Sequence, residues 1–246
     1  MRAAGPVSWL GHRGVRIAAG VLVGTVLLLW VADLLARRSA EKLVAQALQE
    51  QTGTLEEPVV TVRGPFFLPQ VLRGRYDDVE LSMEGVTSGP LRIASVDARL
   101  EDVYLSFHDL LRGDADRMLI TGTEAEAFLS YDDLNRYLDL SGRSLSLDAA
   151  DPGEMRVVGS ADVLGRTVQA SADVELGADD GALVVEPRGL GGIPGISGVS
   201  ELLLGERFTF RVPLDPLPFA QRITDIEPAD TGVLVDVAGD WVLIEP

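Results

Sequence analysis

Cysteine is absent from this 246-residue chain, so no disulfide, thiolate nucleophile or cysteine metal site can form. Histidine occurs only at His12 and His108. Zinc chemistry, which draws on cysteine and paired histidine, is thereby excluded. A serine-histidine-aspartate system could use only His108, because His12 precedes the apolar run described below. The chain has no Gly-x-Ser-x-Gly elbow and no Walker lysine. The acidic pairs Asp77-Asp78, Asp132-Asp133 and Asp179-Asp180 lack the alternating oxygen ligands of a calcium loop and read as solvated turns. No metal and no cofactor is expected.

Lysine is equally scarce, occurring once at Lys42, so nearly every cation is an arginine, the side chain suited to forked recognition of phosphate. The cations are also unevenly placed. Residues 1–38 carry a net +4, which leaves −21 on the remaining 208 residues of a chain whose total is −17. A surface that negative repels nucleic-acid backbones and excludes nucleic acid as a partner.

What the chain does have is one long apolar run. From Ile17 to Ala36 the only charge is Asp33, and at about 1.5 Å per residue a helix of twenty residues spans roughly 30 Å, one bilayer crossing. Arginines flank it at positions 2, 13 and 16 and again at 37 and 38, a bias that points to a cytoplasmic N-terminus. A cleaved signal peptide is the competing reading. The two arginines of "LLARRSA" stand where a cleavage site belongs and favour an uncleaved anchor. Residues 1–36 are therefore expected to be a single-pass membrane anchor and residues 37–246 an extracytoplasmic domain.

Beyond the anchor, Ala40, Leu43, Val44, Ala47 and Leu48 recur at helical spacing, with Gly53 as the stop. The period then changes to two. Val79, Leu81 and Met83 oppose Asp78, Glu80, Ser82 and Glu84, and Val168, Ala170, Ala172, Val174 and Leu176 oppose the polar residues between them. Further strands are expected near 59–63, 91–107, 117–129, 155–163, 182–187, 206–212, 232–238 and 241–244. The long spans at 91–107 and 117–129 should be twisted or bulged. A short helix is expected near His108 to Arg112, and another over "SYDDLNRYLDL", where Ser130 and Asp133 have capping-box spacing. Strands without a strand-helix alternation indicate an α+β fold with a mostly antiparallel sheet. The Gly-Pro-rich stretch from Pro187 to Ser200 reads as a connecting loop.

The stretch "VRGPFFLPQVLRGRYDDVELSMEGV" brackets two phenylalanines with prolines and follows them with arginines. A second Pro-marked apolar turn, "DPLPFAQ", presents Leu217 and Phe219. Together with the apolar run, the helix at 39–52 and the closing "LPFAQRITDIEPADTGVLVDVAG", these residues resemble the LmeA-like phospholipid-binding family of cell-envelope proteins. The resemblance covers residues 38 to 239. It implies a fold similar to tubular lipid-binding domains, a long twisted antiparallel sheet wrapped around a helix with an apolar groove. It further implies a non-enzymatic phospholipid-binding or lipid-transfer protein, with phospholipid and membrane as partners and a location in the cell membrane. On that reading Phe66, Phe67, Leu68, Val71, Leu72 and Phe219 line or gate an acyl-chain groove. Cationic lipid contact is confined to Arg63, Arg73 and Arg75, with Arg73 or Arg75 meeting a headgroup phosphate. Two alternatives stand beside it: an envelope scaffold with an ordinary filled core, and a weak lipid hydrolase using His108.

Overall fold

The computed structural model describes residues 10–52, 54, 56–105, 118–151, 153–163, 166–179, 181–188, 208–214 and 222–244. The expected helix near His108, the 187–200 loop beyond Arg188 and the turn with Leu217 and Phe219 lie outside these residues.

The apolar run and the amphipathic segment after it form one uninterrupted helix, α1 (Leu10–Thr52), where the sequence pattern suggests two. Nothing between Ala36 and Ala40 breaks a helix: "ARRSA" contains neither glycine nor proline. α1 is the one described helix long and apolar enough to cross a membrane. Its apolar residues from Val15 to Val31 are uncovered by the rest of the protein. In its second half the inward face differs from the expected one. Ala45 is buried and Leu48 packs on the core, whereas Leu43 is 67% exposed.

After α1 come β1 (Val59–Val62), α2 (Phe67–Arg73), β2 (Arg75–Ser88), β3 (Leu91–Tyr104) and β4 (Met118–Ser130). β4 runs directly into α3 (Tyr131–Leu140). Then follow β5 (Leu145–Ala149), β6 (Met155–Val163), β7 (Arg166–Asp179), β8 (Ala182–Pro187), β9 (Phe210–Pro213), β10 (Arg222–Ala229) and β11 (Gly232–Ile244). The fold is α+β and all its strand pairings are antiparallel. Strands sort into a curled six-stranded sheet, β1-β2-β3-β4-β11-β10, and a five-stranded sheet, β5-β6-β7-β8-β9. The spans expected at 232–238 and 241–244 are one strand, and β5 and β10 form where no strand was expected. β10 escapes a propensity reading because Pro228 interrupts it, which an edge strand tolerates.

The two sheets share one core. Leu81, Val96, Leu129 and Val235 of the first face Leu147, Val157, Leu183 and Val212 of the second, and Leu134 and Leu138 of α3 pack into the same cluster. α3 starts as its capping box requires. Ser130 Oγ accepts from the Asp133 backbone N–H at 3.1 Å and donates to the Asp133 carboxylate at 2.7 Å. Asp133 is consequently buried, with Arg92 and Arg136 each 3.7 Å away, and is no solvated turn.

A crease crosses the larger sheet. Pairing of β2 with β3 skips Asp77 and Asp102, and that of β3 with β4 skips Asp102 and Thr121. Asp102 takes a positive φ of 49° there, a region that aspartate tolerates better than most residues. Across the crease the inward-facing positions step by three instead of two, from Leu100 to Val103 and from Val79 to Tyr76. This places Val62, Tyr76, Val103 and Ile120 in a second, smaller core beside α2.

Candidate functional site

The second core lies where α1 leaves its apolar stretch, and α2 is its lid. The segment before α2 runs antiparallel to α1 and is fastened to it at three successive turns. The Asp33 carboxylate accepts from the backbone N–H groups of Phe67 at 3.0 Å and Leu68 at 2.7 Å. Arg37 donates to the Gly64 carbonyl at 2.8 Å, and the Glu41 carboxylate accepts from Val62 N–H at 2.9 Å. Positions 33, 37 and 41 recur every four residues and so share one helix face.

Asp33 explains why "FLPQVLR" is a helix and not the turn its prolines suggest. A helix begins with four N–H groups that have no internal partner. Here they belong to Phe66, Phe67, Leu68 and Pro69. Asp33 takes two of them, and Pro69 has no N–H to satisfy. Phe66, the residue at the N-cap position, makes no side-chain cap bond of its own. At the other end Gly74, at φ 64°, closes the helix with N–H bonds to the carbonyls of Gln70 and Val71. Gln70 is buried and ties the loop together: its amide donates to the carbonyls of Arg63 and Phe66 at 3.0 Å and accepts from Asp77 N–H at 3.2 Å. Gly64, at φ 116°, leaves room for it, since a Cβ there would stand 2.5 Å from the Gln70 amide nitrogen.

α2 is apolar on both sides. Phe67, only 5% exposed, and Val71 face the second core, with the Phe67 ring 6.2 Å from that of Tyr76. Phe66 is 53% exposed and Leu72 83%. Phe66, Leu68 and Pro69 border a hollow of about 720 Å³ whose other wall is the apolar part of α1, from Leu22 to Trp30. On the opposite side of Phe67 a second cavity of about 170 Å³ is walled by Ala40, Val44, Leu48, Val62, Tyr76 and Leu100, among others. Its only charged neighbour is Glu41, whose carboxylate is occupied by Val62 N–H. Burial pushes the Tyr76 phenol above its usual pKa.

The arginines divide. Arg75 directs Nε and Nη2 at Asp102, at 3.0 and 2.7 Å, and lies over the Tyr104 ring at 5.5 Å. The hydrogen bond to Asp102 raises its pKa further. Arg63 is bound to Glu80 at 2.6 Å, a contact that raises the arginine pKa and holds the carboxyl below its usual range. Arg73, exposed at the end of α2, has no ion pair among the described residues. The structure therefore brings together Phe66, Phe67, Leu68, Val71, Leu72 and Arg73 on one short helix, and places Arg75 just beyond it in a separate ion pair. Phe219 lies outside the described residues. The cavity walls contributed by α1 and β3 carry no local signal beyond their apolar periodicity.

Another hollow among the described residues lies elsewhere. The outer face of the six-stranded sheet is a trough of about 790 Å³ bordered by Thr61, Ser82, Asp97, Glu124, Glu126 and Asp236. Asp97, Glu126 and Asp236 sit directly opposite one another on neighbouring strands. Val59, Ala125 and Ala238 supply some apolar surface there and Arg99 one cation, but the facing carboxylates oppose a lipid phosphate, so the smaller cavity, whose lining is almost wholly apolar, is the candidate site. Among the described residues no group of acidic or imidazole side chains is placed to hold a metal ion.

The family model for LmeA-like phospholipid-binding proteins matches residues 31–238. No curated protein and no solved structure matches the chain. The matched region starts two residues before Asp33, so it includes the end of the apolar run and all three attachment points of the segment to α1.

Proposed function

This chain belongs to the LmeA-like phospholipid-binding family, and on that premise we propose that it holds a phospholipid acyl chain in the apolar cavity behind α2, at the surface of the membrane that α1 crosses. The carrying observation is the position of the cavity. Its lining is almost wholly apolar, it is walled by α1 itself, and only α2 separates it from the hollow along the apolar part of that helix.

Binding here requires no chemistry, only a place for hydrocarbon and a counter-charge. A closed apolar cavity of about 150 Å³ accommodates a benzene-sized guest, so about 170 Å³ takes about six carbons of a chain. Because the chain comes from the bilayer and not from water, entry itself gains little; the apolar lining matters because exposing the same six methylenes to water above the membrane would cost about 5 kcal/mol. Leu72 on α2 and Phe66 at its N-cap are exposed, the first at 83% and the second at 53%. Moving each from water into lipid contributes about 2 kcal/mol, which seats α2 in the interface as a wedge. Arg73, exposed beside Leu72 and in no ion pair among the described residues, is the cation on α2 itself for a headgroup phosphate. The arginines preceding the apolar run, at positions 2, 13 and 16, favour a cytoplasmic N-terminus, which puts the folded part on the extracytoplasmic side, in the cell envelope.

The test uses the full chain in lipid nanodiscs containing a phospholipid with a photoreactive acyl chain, and maps labelled peptides by mass spectrometry. Labelling of the cavity walls, at residues 40–48 and 71–81, is expected in addition to labelling of the membrane-facing residues 15–31. Val44→Phe, which fills the cavity from a partly exposed position, should abolish the first and spare the second. Labels confined to residues 15–31 in the unmodified chain would refute the proposal.

A further inference from the structure

We infer that the bound lipid never leaves its leaflet: the site takes the terminal segment of one acyl chain, bent upward past α2, while the headgroup stays at the interface. This rests on the lipid-binding reading above and decides its mode, retention in place instead of carriage through water.

Three features of the structure carry it. The first is size. A space of about 170 Å³ matches about one benzene-sized guest, a fraction of one acyl chain and far less than a two-chain lipid. The second is the lining. Among the described residues Glu41 is the only charged group at the cavity, and it is a carboxylate; a phosphate drawn inside would meet like charge and an almost wholly apolar wall whose one side-chain donor is the Tyr76 phenol. The third is height. The cavity is walled by α1 from Ala40 to Leu48, which at about 1.5 Å per residue lies about 6 to 18 Å beyond Ala36, the end of the apolar run. One leaflet contributes about 15 Å of hydrocarbon, so a chain tip reaches the cavity while its ester end remains near the surface.

The mouth is held at that height. Asp33, Arg37 and Glu41 fasten the 62–68 segment to three turns of α1 by four hydrogen bonds. α2 therefore cannot travel away from the membrane without breaking its own N-terminal cap. A carrier that shuttles a whole lipid needs more room than the space of about 170 Å³ behind α2 and a way to leave the bilayer, and the fastening of α2 to α1 opposes the second.

Two measurements on the full chain in bilayers test the inference. Phospholipids photoreactive at the chain terminus or next to the ester are compared in nanodiscs, and exchange of a fluorescent phospholipid is followed between donor vesicles carrying the protein and protein-free acceptors. Terminal-probe labelling of residues 40–48 several-fold above that of the ester-proximal probe, with exchange no faster than the spontaneous rate, is the expected result. Equal labelling by both probes together with accelerated exchange would overturn the inference and leave lipid binding intact. Labelling of residues 40–48 by neither probe would sink the underlying binding proposal, and this inference with it.

Discussion

Replacing Asp33 separates two opposite accounts of the same residue. If Asp33 is merely a charge tolerated in an apolar helix, Asp33→Leu should help the protein, since an acid disfavours insertion by about 2.5–3.5 kcal/mol at the centre of a membrane helix and by less near the end of the run, where Asp33 lies. The structure predicts the reverse. Asp33 is buried to 7% exposure and accepts the Phe67 and Leu68 N–H groups at 3.0 and 2.7 Å. Leucine would leave both donors without a partner in an apolar setting, at about 1–3 kcal/mol each, and would remove the cap of a seven-residue helix that has no substitute. The expected loss is about 2–6 kcal/mol, concentrated in α2. Hydrogen exchange of the full chain in nanodiscs reads this directly. Amides of residues 67–73 should lose protection in Asp33→Leu, while those of α3 keep it. Asp33→Asn, which retains one acceptor oxygen, should fall between. Unchanged protection of α2 in Asp33→Leu, with insertion improved, would refute the capping argument and the fixed portal built on it.

Two further outcomes follow from the core and the cavity wall. Leu134→Ala removes a fully buried side chain that α3 lodges between the sheets; urea denaturation in detergent should show a loss of about 2–5 kcal/mol, against almost none for the exposed Leu140→Ala on the same helix. Burial raises the Tyr76 pKa, so its contribution is intact below the ordinary phenol value of about 10 and is lost as pH climbs through the higher folded value. Melting temperatures recorded from neutral to strongly alkaline pH should therefore decline less steeply above about pH 10 in Tyr76→Phe. Tyr131 is shifted the same way by burial and leaves a residual slope, so the informative quantity is the difference between the two proteins. Identical profiles would remove Tyr76 from the buried wall.

Much of the architecture can be read from local pattern, because each element announces itself over a few residues. The twenty-residue apolar run, the alternation from Val79 to Met83 and from Ala170 to Val174, and the Ser130 and Asp133 box all appear where the spacing puts them. The errors share one cause. α2 reads as a turn because its N-terminal cap comes from a residue 34 positions earlier. Leu43 reads as buried because helical periodicity marks a face without saying what covers it. The ion pair of Arg75 is equally hidden, because its partner Asp102 is 27 positions away across β2 and β3.

The sequence alone determined the chemistry available: no thiol or zinc site, an apolar span, a strongly acidic exterior, and a short apolar-basic segment at the head of a sheet. Those follow from residue type and short-range period. Only the tertiary structure decided that this segment is a helix capped from the long apolar helix α1, and that a void remains behind it. Local spacing cannot reveal a void. It is what is left when side chains from α1, β1, β2 and β3, distant along the chain, converge on a sheet creased at Asp102 and do not fill the space between them.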